Sequence, residues 1–237
     1  MALHIAFRDS AALRGRCQYA QVRTTHRDAG YEDGAVVPDG PWLPVTEEIT
    51  GALSAAESTA PETVVEIVRP WEAVGGELGA LTVRLGDPDA VYLGQSPARA
   101  DMVTTTDNHA DGRLLGIHLD NWDKLAYADK ASGRRRLCLN LGRGSRYILL
   151  GDVDAQEICR SVHPEYRGRY PHTDDLRTLI GRGGTMRCFR IRIDPGEGYI
   201  APTEFLPHDG STAGLALPST AAFWLGRWPV GVVPSVV

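Results

Sequence analysis

The run Arg113–Asp120, RLLGIHLD, closes an apolar stretch with a histidine and an aspartate two positions apart. In an extended chain residues i and i+2 point to one side. Leu114, Gly116, His118 and Asp120 are therefore expected on one face, and Leu115, Ile117 and Leu119 on the other. Gly116 would leave room beside the imidazole and the carboxylate. Such a pair at the end of a strand supplies two ligands of a metal site. One more histidine, from a distant strand, would complete the two-histidine, one-carboxylate set that fills one face of non-haem Fe(II) and leaves the others open.

His-x-Asp alone is a weak pattern. It occurs four times here, at His26–Asp28, His109–Asp111, His118–Asp120 and His172–Asp174, where chance would give on the order of one or fewer. Context separates them. TTHRDAG and TTTDNHADG are polar turn sequences, although His109 keeps a claim as a residue at the rim of a site. PHTDDLR reads as a helix start with Thr173 as N-cap and acids in the first turn. His118 and Asp120 alone end an apolar strand. For the third ligand, DPGEGYIAPTEFLPHDGSTAG (Asp194–Gly214) offers a glycine turn, a short strand at Tyr199–Ala201, and then His208 among small residues. His208 is preferred over His163 and His172.

The elements that must hold these residues are mostly strands. ETVVEIVRP, ALTVRLG, RLLGIHLD, RRLCLNLG, RYILLGD, MRCFRIRID, GYIAPTEF, GLAL and AAFWLGRW are short, β-rich runs punctuated by Gly, Pro or Asp. LCLNLGRGSRYILL reads as a hairpin turning at Gly142–Ser145. Helices are expected over Val45–Ser58, capped by Thr46, over Thr173–Gly184, and within DVDAQEICRSV. Many short strands with helices grouped toward the N-terminal half predict a mainly β fold with supporting helices, a sandwich or jelly-roll barrel. No repeat or linker argues for a second domain, so residues 1–237 are read as one.

The bulk properties narrow the function. The chain has 237 residues, is 43% hydrophobic and 23% charged, and carries a net charge of -5, which argues against nucleic acid or an anionic membrane as partner. Its one basic cluster, Arg134–Arg136, reads as a solvated turn. No run approaches the roughly 18 apolar residues that span a bilayer, and the N-terminus lacks a secretory pattern. The four cysteines form no CxxC pair, so reduced thiols and a cytoplasmic location are expected, with Cys138 and Cys188 packed as small hydrophobes. Ser145 in GRGSR sits in a hairpin turn and not in a nucleophile elbow. GRGGT near Gly181 lacks the ending of a phosphate loop and reads as a helix terminator.

The order strand–His-x-Asp, then the LNLGRGSRYILL hairpin, then PGEGYIAPTEFLPHDGST resembles the Fe(II)/2-oxoglutarate-dependent oxygenases, in particular the small bacterial members that hydroxylate amino acids or natural-product intermediates. The resemblance spans roughly Val103 to Trp228. It implies a double-stranded β-helix (jelly-roll, cupin-like) core over residues 101–230, with residues 1–100 as helical and strand support. It also implies Fe(II) on His118, Asp120 and His208, 2-oxoglutarate as co-substrate, O2, and a small-molecule substrate. Asp120 stands where related halogenases carry a small residue, which favours hydroxylation, or a desaturation or cyclisation, over halogenation.

The family grips the distal carboxylate of 2-oxoglutarate with a cation, usually arginine, whose planar fork suits it. By resemblance Arg227 is preferred and Arg146 is the alternative, and Asn140 is expected to face the co-substrate. Asn121 and Trp122, which follow the metal strand, and His109 and Asn108 are the expected substrate contacts. Two other readings remain open. One is a cupin-type metal isomerase or dioxygenase without 2-oxoglutarate, in which His109 becomes a ligand. The other is a non-catalytic jelly-roll binding module in which His118 and Asp120 form a buried pair. Sequence leaves the oligomeric state open.

Overall fold

The structure is a computed structural model that describes residues 2–56, 59–60, 63–69, 81 and 85–237. These form twelve strands in two six-stranded sheets, with short helices. The strands are β1 (His4–Ala6), β2 (Cys17–Thr24), β3 (Tyr31–Pro44), β4 (Val64–Val68), β5 (Val91–Ala98), β6 (Leu114–Gly116), β7 (Arg135–Asn140), β8 (Arg146–Gly151), β9 (Arg187–Ile193), β10 (Gly198–Ala201), β11 (His208–Ser211) and β12 (Ser219–Gly226). The first sheet runs β1-β4-β10-β7-β12-β5 and the second β11-β8-β9-β2-β3-β6.

Side-chain alternation sorts each buried strand between two layers. In β7, Cys138 enters the cluster between the sheets while Leu137 and Leu139 join Trp224 and Trp228 on the outer side. In β8, Ile148 and Leu150 face inward, and Leu149 faces outward against Ile158, Leu176 and Ile180. Those three residues come from helices α3 (Ala155–Val162) and α4 (Thr173–Gly181). Both faces of these strands are therefore covered, so they read as continuous apolar runs. Helices α1 (Ser10–Arg16) and α2 (Glu47–Leu53) precede β2 and β4. Among the described residues, no helix is long and apolar enough to cross a membrane.

The predicted helices are present with shifted ends. Thr46 caps α2, but the helix stops at Leu53, well before Ser58. Asp154 caps α3. The N-cap of α4 is His172, whose ring accepts from Asp174 N, and not Thr173. Gly214–Leu217 is a turn and not a strand. The expected strand ALTVRLG falls largely outside the described residues. Residues 1–100 are more than support. They supply β1, β4 and β5 to one sheet and β2 and β3 to the other, interleaved with the later strands. Their patterns, such as YEDGAVVPDGPWLP in β3, mix polar residues, Gly and Pro because much of that strand is only half buried.

β6 ends sooner than alternation predicts. Gly116 has φ +71, and a Cβ there would lie 2.5 Å from Val36 O. The glycine thus serves the backbone and does not make space beside the ligands, while Leu115 and Leu119 line the same cavity as His118. Gly116→Ala is expected to cost about 2–3 kcal/mol, measured by chemical denaturation. Because Gly116 O is also the partner of the His118 ring, the same variant should weaken divalent-ion binding.

Candidate metal centre

The second sheet closes on itself through two histidines. His118 N donates to His208 O at 3.0 Å and His208 N donates to His118 O at 2.8 Å. This reciprocal antiparallel bridge joins the chain just after β6, one edge of the sheet, to β11, the other. Paired residues of this type carry side chains on one face about 5.5 Å apart at Cα. The rings accordingly lie 4.6 Å apart between centroids. Asp120 N donates to Thr203 O at 3.0 Å, which ties the carboxylate's backbone to the loop leading into β11. Thr173 at the start of α4 holds Leu119 from both sides: its Oγ1 accepts from Leu119 N and donates to Leu119 O.

The three side chains converge. Donor atoms of His118, Asp120 and His208 all lie within 4.8 Å of one another, and all three residues are buried. His118 Nε2 is 3.9 Å from Asp120 Oδ1, and His208 Nε2 is 3.6 Å from Asp120 Oδ2. Each Nδ1 faces a carbonyl, Gly116 O at 2.9 Å for His118 and Leu206 O at 3.4 Å for His208. A carbonyl only accepts, so the proton belongs on Nδ1, and Nε2 presents its lone pair to the site. Asp120 Oδ2 is ion-paired with Arg136 Nη2 at 2.7 Å, while His208 Nε2 is buried with no hydrogen-bond partner. Buried polar atoms are rarely left so, and two imidazole nitrogens with a carboxylate form a donor set that fits a divalent transition metal.

Electrostatics favour the metal-binding forms of Asp120 and His208 and the protonated form of His118. Burial pushes the Asp120 carboxyl up, but Arg136, His208 and His118 outweigh it and hold it below the usual carboxylate range. Burial holds His208 well below the usual imidazole value, so it is neutral and able to ligate at neutral pH. Burial also pulls His118 down, but the nearby Asp209 and Asp120 more than offset it and raise it.

The triad opens onto a cavity of about 470 Å³ between the sheets. His109, Asn121 and Trp122 line it as expected, and so does Arg146. Arg146 is buried, its Nη2 donates to Thr105 Oγ1 at 3.4 Å, and its Nη1 has no partner. Gly210 on β11 gives the guanidinium its place, because a methyl there would overlap Arg146 Nη2 and Thr105 Oγ1.

Four expectations are corrected. Arg227 follows the end of β12, does not line the cavity, and donates from exposed Nη1 to Ser132 O. Asn140 is buried at the end of β7, with Nδ2 donating to Gly144 O and Ile193 O and Oδ1 accepting from Gly142 N. It shapes the connection to β8, which crosses to the other sheet and is not the expected hairpin. Arg134–Arg136 is not a solvated turn. Arg134 pairs with Asp123 near the surface, whereas Arg135 and Arg136 are buried on β7, Arg135 against Glu66 and Arg136 against Asp120. The pattern RRLCLN held the signal: alternation with inward Cys138 places Arg136 inward too. Asn108 bonds Glu32 Oε1 and does not line the cavity.

Sequence reasoning also missed Asp209, next to His208. Its Oδ1 accepts from Thr105 N, Thr106 N and Thr106 Oγ1, and Oδ2 lies 3.8 Å from His118 Nδ1. Lys130 was missed as well. It is fully buried, its Nζ reaching Asp120 O, Asn121 Oδ1 and Glu204 Oε2 at 3.3 to 3.5 Å, which steadies the chain leaving the triad.

Fold and site together define a mainly β protein with a buried His-Asp-His group able to hold a metal ion at the wall of an inter-sheet cavity. No family model matches the chain, and no curated protein matches it in sequence.

Proposed function

We propose that the protein is an Fe(II)- and 2-oxoglutarate-dependent oxygenase of the double-stranded β-helix type. Its substrate would be an amino acid or a small natural-product intermediate oxidised at an unactivated C–H bond. The observation that carries this reading is the buried His118–Asp120–His208 group opening onto the same cavity as Arg146, a guanidinium with an unsatisfied Nη1. Fe(II) held by the three ligands would supply O2 activation coupled to decarboxylation of the co-substrate. Arg146 is the cation for the distal carboxylate of 2-oxoglutarate, and an arginine fork binds such a group in two parallel hydrogen bonds. Leu119, Tyr199 and Phe223 line the cavity with apolar surface that excludes water from the reacting centre. Trp122, half exposed beside Asn121, stands where a substrate enters. Four free, buried cysteines suit the reducing cytoplasm.

His109 lines the cavity but does not belong to the ligating group found among the described residues, so nothing favours a three-histidine cupin site. The test is direct. Under anaerobic conditions, Fe(II) plus 2-oxoglutarate should give a visible charge-transfer band. Admitting O2 with a panel of amino acids should then yield succinate and one product heavier by one oxygen atom. A protein that binds Fe(II) yet gives neither the band nor succinate would not be this enzyme.

A further inference from the structure

Arg136 sits in the wall of the metal site and takes no part in the reading above. Its Nη2 lies 2.7 Å from Asp120 Oδ2, and Asp120 is its one ion-pair partner among the described residues. Its side chain is about 11% exposed, its guanidinium stacks over Phe223 at 5.4 Å, and its Nε is buried without a partner. The backbone cannot withdraw it. β7 is a central strand, with Arg136 in register with Ala201 of β10 on one side and Leu225 of β12 on the other. The cation is therefore fixed against the carboxylate that an incoming metal ion must use.

We infer that Arg136 is a built-in counter-ion of the metal centre, pairing with Asp120 before an ion arrives and keeping the affinity for divalent ions low. The inference rests on reading the triad as a metal site. Two physical effects carry it. A buried carboxylate without a cation is costly, so the ion-free protein depends on the arginine. Once a divalent ion binds, two cations share one carboxylate in a low-dielectric cavity and repel each other. The arginine therefore stabilises the ion-free state more than the loaded one. A group that merely packs the wall would stabilise both alike.

The experiment is anaerobic titration of the purified, ion-stripped protein with Mn(II), followed by calorimetry and by the Mn(II) resonance signal, with thermal unfolding measured at each loading. Arg136→Met should unfold at a lower temperature than wild type when ion-free, bind Mn(II) about tenfold more tightly, and gain more thermal stability from the ion than wild type does. Arg136→Lys, which keeps the charge, should return the affinity toward the wild-type value. Arg136→Gln carries the same prediction as the methionine variant should that one fail to fold. If wild type binds Mn(II) while the neutral variants bind it equally or more weakly, the counter-ion role is overturned and the metal site stands. If wild type and His208→Ala take up Mn(II) alike, or neither takes up any, the metal reading fails and the inference falls with it.

Discussion

Replacing His208 with alanine is expected to give a folded protein that retains no divalent ion at stoichiometric loading and forms no succinate. The backbone of residue 208 is held independently of its ring. It pairs with Leu150 in β8 and exchanges two hydrogen bonds with residue 118, and alanine keeps all of these. The lost group is an imidazole whose Nε2 has no partner within the protein, so little hydrogen bonding is lost with it. Losing one of three protein ligands should weaken binding by more than about a hundredfold, the upper end of what removing an outer-shell partner costs. Equilibrium dialysis with Mn(II), beside far-ultraviolet circular dichroism, checks both halves. Asp120→Ala should differ in kind. It strands Arg136 in the cavity wall and should cost about 3–5 kcal/mol of stability besides the metal. A His208→Ala protein that keeps one tightly bound ion per chain would refute the site.

The second large effect concerns the co-substrate. Arg146→Met should raise the 2-oxoglutarate concentration needed for half-maximal succinate formation about a hundredfold, since charge-assisted hydrogen bonds contribute roughly 1.5–3 kcal/mol each. Gly210→Ala should reproduce a good part of this without touching the arginine. A methyl at that position occupies the space of Arg146 Nη2 and Thr105 Oγ1, and the guanidinium must move out of its seat. Ion binding should survive in both variants, which separates a co-substrate defect from a metal defect. Arg227→Met is the control. Its side chain bonds a surface carbonyl away from the cavity, and its succinate kinetics should match wild type. The reverse pattern, with Arg227 sensitive and Arg146 indifferent, would remove Arg146 from the site.

The same arginines mark the boundary between local and distant information. Features with a short repeat or a fixed local spacing could be read from the residues in order. These include His118 and Asp120 at the end of an apolar run and the capped start of α2. Each depends on contacts within a few positions, where period and cap chemistry act directly. The hairpin expected over LCLNLGRGSRYILL does not form, because β7 and β8 belong to different sheets. Other features depended on which strand lies beside which. His208 joins His118 and Asp120 in the candidate metal group because the second sheet closes and pairs it with His118. Arg136 is buried because another sheet covers the inner face of β7, and a run of three arginines looks solvated until that cover is known. Arg146 and Arg227 are chemically equal, but Arg146 lies on β8 and faces the cavity, whereas Arg227 falls just past the end of β12, outside it. Strands β1, β2, β3 and β5 escaped notice for the same reason: half-buried β structure takes its pattern from its neighbours more than from its own residues.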